Sequence, residues 1–553
     1  HPAAAAQGFV VFDGEKAPPQ PPLDAGVPLA AGKVQFRTTT PVTILPVEAR
    51  ILYKKPATPD AERLKDLAAA YEGFRDSDTT QLRFYTTTAF PQPLPGEDPP
   101  AFDVDVESAV DRSIWIALLT PKNATLQDTR DRLAQKTLSL GVLPSMPDEV
   151  VISPFTKTEL LGSATADVVW EISTARTTVK SGTVLKIPRY ERLNPTSTVD
   201  VMRAPGIVNI VLPTADKLVT WEFSEPADEG SGDFPPRIEE EDARARVVCW
   251  IRMKFRGTHP GAELSWLGIN AAEILQAVPV DRELVGRGAN EPDQVVSVSN
   301  APVLVETIKV EVEQKDGTWK TWSRTDDFLA HGFDDEVYTL DPEAGQVRFG
   351  TGINGKRPAA NARIAVSYRY GGGIGGNVPA GAVNKSSAVP GTVRISNPLP
   401  TRGGSRGETV AEGEQRIPGY LRHRDRAVAK QDFRDIVLST PGADLGRVEI
   451  LPLWHPTLGD DVPGVVSVLV IPAFDPIDPR APRPDTLLLQ AVRDYVEPRR
   501  LITTEVHVVG PCYIPIWASV GVQVRGGHSH DSVLQAVRAA LFDYLSPLTG
   551  GPD

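Results

Sequence analysis

Val337-Tyr338-Thr339-Leu340-Asp341-Pro342-Glu343-Ala344-Gly345-Gln346-Val347-Arg348-Phe349-Gly350 holds the clearest fold signal in the chain. Two β-type runs, 337–340 and 346–349, flank a turn. Pro342 presets φ there and Gly345 can take a positive φ, so the text predicts a hairpin. Runs at 246–255, 295–298, 307–313 and 363–370 also alternate or are β-branched. Residues 243–400 therefore read as a β-domain.

Working outward, residues 1–32 read as an extended lead-in rich in Ala and Pro. Residues 33–225 form a β-rich region with strand text at 34–39, 42–53, 82–88, 113–119, 166–173, 183–188 and 206–212. Helical periods interrupt it at 60–71 and 126–136. Residues 226–242 are acidic and poor in apolar side chains, which predicts a linker. Residues 401–460 read as an Arg-rich helical connector. Its helix at 429–440 carries Phe433, Ile436, Val437 and Thr440 on one face and stops at Pro441-Gly442.

The last segment, 461–553, contains a repeat. Leu489-Gln490-Ala491-Val492-Arg493 recurs as Leu534-Gln535-Ala536-Val537-Arg538, each copy in an amphipathic helix. Strand text at 465–471 and 515–525 precedes the two helices, and 503–509 lies between. The order β-α-β-β-α predicts a ferredoxin-like split βαβ module without its closing strand, an edge left for a partner. The fold class is α+β, multidomain and β-rich.

The chain has 553 residues, and at roughly 150 residues per domain about four are expected. Gly 45 plus Pro 51 gives 96 residues, an excess that implies many turns. The net charge is 58 − 71 = −13, which argues against a nucleic-acid coat or a basic membrane binder. Two cysteines cannot build a disulfide framework or a zinc cluster. Both lie in apolar strand-like text, so Cys249 and Cys512 are expected to be buried. No run of 18 apolar residues occurs, so no transmembrane helix is expected. No secretory signal pattern appears either. The chain opens on His1 rather than Met, which implies a preceding segment.

Two glycine motifs imitate nucleotide loops. Gly350, Gly352, Gly355 and Lys356 spell GxxxxGK, yet Arg357 stands where a P-loop needs Ser or Thr, and a strand soon follows. Gly371, Gly373 and Gly376 spell GxGxxG without a following helix. Glycine-rich turns explain both better. His528, His530 and Asp531 lack further metal ligands nearby, and a helix cap is the simpler reading. No G-x-S-x-G, H-E-x-x-H or C-x-x-C occurs. No catalytic residue, cofactor or metal ligand is assigned. Residues 402–434 hold eight Arg or Lys against five acids. A protein interface fits this run better than nucleic acid does.

The text 328–352 and Tyr368-Arg369-Tyr370-Gly371-Gly372-Gly373 with Gly376-Asn377-Val378 resembles the baseplate J-like proteins, assembly proteins of contractile phage tails and contractile injection systems. Asn397-Pro398, Gly403-Gly404, Arg422, Arg424, Arg426, Asp432-Phe433, Pro463-Gly464, Arg499-Arg500 and Pro547-Leu548-Thr549-Gly550-Gly551 follow in the family's order. The resemblance covers about 243–553, with Val34-Gln35-Phe36-Arg37-Thr38 similar near the start. Ala429 departs from it, since relatives often carry a capping Thr or Ser there. The resemblance implies a non-enzymatic wedge component, assembled in the cytoplasm into a phage-tail-like particle. Implied partners are a second copy, a second wedge protein, the central spike or hub and sheath-proximal proteins. It implies neither nucleic acid nor membrane insertion, and it places the candidate assembly interface at Arg422, Arg424, Arg426, Asp432 and Phe433. Two alternatives remain: an enzyme acting on nucleotides or sugar phosphates through Gly350–Lys356, and a carbohydrate-binding tail protein using 1–225.

Overall fold

A computed structural model of the chain describes residues 2–14, 21–58, 84–90, 104–106, 108–144, 149–152, 167–179, 186–197, 201, 205–222, 230, 232–256, 263–475, 479–484, 486–525, 527 and 529–550. Over these the fold is β-rich, α+β and multidomain, with five sheets. The helical pattern at 60–71 lies outside the described residues. No described helix is long and apolar enough to cross a membrane.

The central hairpin forms as expected. Val337–Asp341 and Gln346–Phe349 pair antiparallel, with Tyr338 opposite Phe349 and Leu340 opposite Val347. Asp341 Oδ1 accepts the amides of Glu343 (3.1 Å) and Ala344 (3.0 Å). Gly345 closes the turn at φ 63°, a conformation that costs glycine little. The hairpin sits in a seven-stranded sheet, whose strands run Val278–Arg287, Arg363–Tyr370, Lys309–Glu313, Trp319–Arg324, Val337–Asp341, Gln346–Phe349 and Val295–Ser297. Alternate residues Val310, Val312, Trp322, Val347, Phe349 and Ile364 bury its core face.

A second body is a two-sheet sandwich. One sheet orders Lys186–Arg192, Asp167–Val179, Val247–Arg256, Ser113–Leu119, Glu48–Ala57 and Phe84–Ala89. The other orders Pro195–Ser197, Gly206–Val211, Thr137–Pro144, Glu263–Ile269 and Val104–Asp105. Ser113–Leu119 is buried along its whole length. Ile114, Ile116 and Leu118 fill the space between the sheets. Trp115, Ala117 and Leu119 face a second cluster with Trp221, Phe234 and Trp250. Cover on both faces explains the unbroken apolar run. Val247–Arg256 and Glu263–Ile269 belong to this sandwich, so the division at 243 does not follow the sheets.

The stretch 226–242 is more than a solvated linker. Residues 226–229 and 231 lie outside the described residues. The rest straps the sandwich: Phe234 and Ile238 are buried in the aromatic cluster. The Lys54 ammonium donates to the carbonyls of Gly232 (2.9 Å) and Phe234 (2.6 Å) and pairs with Asp111 at 3.5 Å. Burial pushes Lys54 down and the Asp111 carboxyl up, and their attraction offsets part of both. Two apolar side chains inside acidic text were enough to dock it.

The lead-in is also structured. Gln7–Asp13 pairs antiparallel with Ala271–Leu275 on one side and Arg394–Ser396 on the other. Pro28–Ala31 pairs with Val34–Thr38. Phe9, Val10 and Phe12 are the short apolar run that the surrounding Ala and Pro text conceals. This sheet meets the sandwich at Asn270, whose φ is 53° and whose side chain is 1% exposed. Its amide nitrogen donates to Phe12 O (3.1 Å) and Leu45 O (3.0 Å), and its oxygen accepts Leu45 N (3.1 Å).

In the terminal domain, Leu445–Pro452, Val465–Pro472 and Glu505–Val509 form three neighbouring strands. Lys430–Leu438 and Thr486–Val496 cover one face, bringing Phe433, Ile436, Val437, Leu489 and Val492 onto Val468, Val470, Val506 and Val508. The fourth strand is Glu149–Ile152, antiparallel to Glu505–Val509. The predicted strand at 515–525 is instead unpaired and largely exposed, and Cys512 beside it is exposed rather than buried. The second repeat helix, His530–Tyr544, buries no residue. The chain's own earlier strand occupies the edge where a hairpin from 505–509 to 515–525 would close.

Replacing Asn270 by Ala removes three buried hydrogen bonds, although Leu45 O keeps the Val47 amide (3.0 Å), and should cost about 2 kcal/mol or more. A denaturant titration followed by tryptophan fluorescence checks this, and an unchanged midpoint would remove Asn270 from this role.

Candidate assembly interface

The connector begins with the helix Val410–His423. Thr409 caps it: its hydroxyl accepts Glu412 N (3.3 Å), and the Glu412 carboxylate accepts Thr409 N (2.8 Å). Arg406 also holds this carboxylate. The Arg406 hydrogen bond, then those from Thr409, draws the Glu412 carboxyl down to about 2. No residue of the helix is buried. Val410, Ile417 and Leu421 recur at helical spacing along its exposed side, with Tyr420 beside them. Arg424 ends the helix at φ 47°, and its amide donates to Tyr420 O.

The five predicted interface residues separate into two groups. Arg424 and Arg426 are exposed. Arg422 clamps the next helix, with Nη2 2.5 Å from Asp435 Oδ2 and Nε 3.5 Å from Asp432 Oδ1. Asp432 is buried and accepts Ala429 N at 2.9 Å. Half of a capping box therefore survives although Ala429 has no side-chain oxygen. Phe433 is 2% exposed and belongs to the core. The turn after the first helix is tied to the terminal domain. Arg499 Nε donates to Asp425 Oδ1 (2.6 Å), and its guanidinium lies 3.8 Å from the Tyr495 ring centroid. Between these elements lies a hollow of about 200 Å³ lined by Arg416, Tyr420, His423, Ile436, Tyr495 and Arg499.

The glycines do structural work. A Cβ on Gly350 would stand 2.4 Å from the Gly355 carbonyl. One on Gly376 would stand 2.0 Å from Gln276 Oε1. Gly352, Gly355, Gly371 and Gly373 have positive φ. Lys356 is committed to Asp334 (3.0 Å) and Glu336 (3.1 Å), which raise its pKa. No helix follows it to receive a phosphate.

Sequence reasoning missed one cluster. His455, Glu505 and His507 bring donor atoms within 4.8 Å of one another. His507 and Glu505 share one strand face and lie 3.1 Å apart, a spacing of two that was available in the sequence. His455 comes from a loop, and nothing in the text points to it. Its Nδ1 accepts the amides of Thr457 (3.0 Å) and Leu458 (3.2 Å), so the neutral ring carries its proton on Nε2. That tautomer suits a hydrogen-bonded cluster better than a metal ligand. His528, part of the pattern with His530 and Asp531, lies outside the described residues. Cys249 is buried, and burial pushes its thiol up to about 12.

No family model and no curated protein matches the chain. Among solved structures it matches a chain of the cryo-EM structure of the anti-feeding prophage baseplate, 6-fold symmetrised, at 15% identity and a TM-score of 0.22. The match covers 50% of this chain and 66% of that one.

Glu412 is depressed below its ordinary 4.5, so its cap contacts are complete above about 4.5 and lost as pH falls toward about 2. The protection factor of the Thr409 amide, whose proton the carboxylate accepts, should therefore fall over that window. In Glu412→Ala that protection should already be lost at neutral pH.

Proposed function

We propose that this chain is a structural component of the baseplate of a contractile injection system or phage-tail-like particle. On this reading it is a wedge protein that pairs with a second copy and a second wedge protein around the spike and tube. Rearrangement of that ring would release sheath contraction. The observation that carries the proposal is the placement of the chain's apolar surface. Helix Val410–His423 and helix His530–Tyr544 each bury no residue, and Ile514, Ile516 and Trp517 stand in solvent. A chain that exposes this much apolar surface is built to be covered by other proteins. The family-like motifs supply turns of that scaffold, including the one at Gly350 and Gly352. The solved structure matched above comes from a baseplate of this kind of particle.

The alternatives find less support. Lys356 is bound by two carboxylates, and Trp115, Trp170 and Trp221 of the N-terminal region are buried rather than offered to a sugar.

Deleting the gene from a particle-producing strain should leave tubes and sheaths without assembled baseplates in electron micrographs. Normal particles would end the proposal. Calorimetric titration with ATP should show no binding, whereas saturable binding abolished by Lys356→Ala would favour the enzyme.

A further inference from the structure

Leu329, Phe333 and Ile353 are 81%, 73% and 76% exposed. They lie on two loops at one end of the middle β-domain. The first loop leads into Val337–Asp341 and the second leaves Gln346–Phe349, its antiparallel partner. These loops are braced. Gly355 N donates to Gly332 O (2.9 Å) and Lys356 N to Asp335 O (2.8 Å). Within the first loop, Asp327 Oδ1 accepts Leu329 N (2.8 Å) and Asp335 Oδ2 accepts Gly332 N (2.9 Å). Within the second, Thr351 Oγ1 accepts Ile353 N (3.2 Å) and Asn354 N (3.1 Å). The GxxxxGK text thus builds a stiff bracket that holds an apolar side chain in water. A surface ordered before contact loses less entropy on binding.

Charge narrows the choice of partner. Residues 326–336 carry five acids and 350–357 carry two bases, and Lys320 and Arg324 pair with Glu336 and Asp326, so the tip is 4 − 5 = −1. That opposes anionic lipid. It suits an apolar surface rimmed by cations, and the chain carries one. The connector exposes Ile417, Tyr420, Leu421 and Val428 beside the exposed Arg424 and Arg426. Its hollow of about 200 Å³ has two tyrosines, Tyr420 and Tyr495, in its wall, with Arg499 paired to Asp425 and Arg416 to Glu408, so among the described residues Arg424 and Arg426 beside it carry the free positive charge. A dry cavity of about 150 Å³ already admits benzene, so this hollow has room for a phenyl ring.

We propose that the tip formed by Leu329, Phe333 and Ile353 docks on the Arg-rich connector of a second copy of this chain. The Phe333 ring enters the hollow beside Tyr420, and the acids of the tip face Arg424 and Arg426. Tip and connector are different surfaces, so the contact is heterologous. Copies then add head to tail and close into a ring wherever the rotation allows. This contact stands or falls independently of the baseplate reading, which the gene deletion tests.

The test uses the full chain with Cys512→Ser, because Cys249 is buried. Phe333→Cys and Tyr420→Cys are made as separate proteins and mixed under mild oxidation. A disulfide-linked pair should form in the mixture and not in either protein alone. Sedimentation should show concentration-dependent association that weakens with salt, and Phe333→Ser should raise its dissociation constant at least tenfold at unchanged melting temperature. The proposal is overturned if the mixed disulfide fails to form. It is equally overturned if Phe333→Ser leaves association unchanged, or if that variant instead loses binding to phosphatidylglycerol vesicles.

Discussion

The Asn270 amide holds together parts of the chain that are far apart in sequence. Its three hydrogen bonds reach Phe12 and Leu45 from a residue with left-handed backbone. That backbone turn separates Glu263–Ile269, in the sandwich, from Ala271–Leu275, in the small sheet. Asparagine tolerates this conformation better than most residues and also offers both a donor and an acceptor. At the far end of Ala271–Leu275, Gln276 accepts Ala6 N (3.2 Å) and donates to Gly372 O (2.9 Å). Two amide side chains therefore fix the N-terminal strand at both ends. They also tie the small sheet to the loop that leaves the seven-stranded one.

Around that junction the fold uses two kinds of cover. Apolar side chains in alternation fill the sandwich and the seven-stranded sheet. The outer face of Ser113–Leu119 is covered differently, by aromatic rings and a strap with buried cations beneath it. Arg252 stacks 3.6 Å from the Tyr190 ring centroid and pairs with Glu171 at 2.5 Å. Buried ions of this type contribute little net stability, but removing one partner leaves the other uncompensated. Such a face is intolerant of single substitutions.

Local signals were legible in the sequence where the reason for an element is local. The hairpin at 337–349 appears with its turn, and Ser113–Leu119 matches its predicted bounds. The helix carrying Phe433, Ile436 and Val437 buries the predicted face. Pairings decided by distant chain were hidden. Gln7–Asp13 is a strand because two other segments flank it, not because its text is strongly alternating. The segment 515–525 fails to pair although its alternation is clear. Of the candidate interface, the sequence located the connector but could not separate the exposed Arg424 and Arg426 from Phe433, which the core claims. His455 came to His507 through tertiary folding alone, at 4.4 Å between ring centroids.

The strand Glu149–Ile152 carries a consequence for how the molecule is made. Val150 pairs with Val508, 508 − 150 = 358 positions later. Contacts of such separation fold slowly, since a long loop must close before they form. During synthesis this strand must wait, unpaired, while the intervening chain leaves the ribosome. A terminal domain cut free of the N-terminal region would present the bare backbone of Glu505–Val509 as an adhesive border. These two distant segments thus complete one sheet, and the order of their arrival bears on whether the product is soluble.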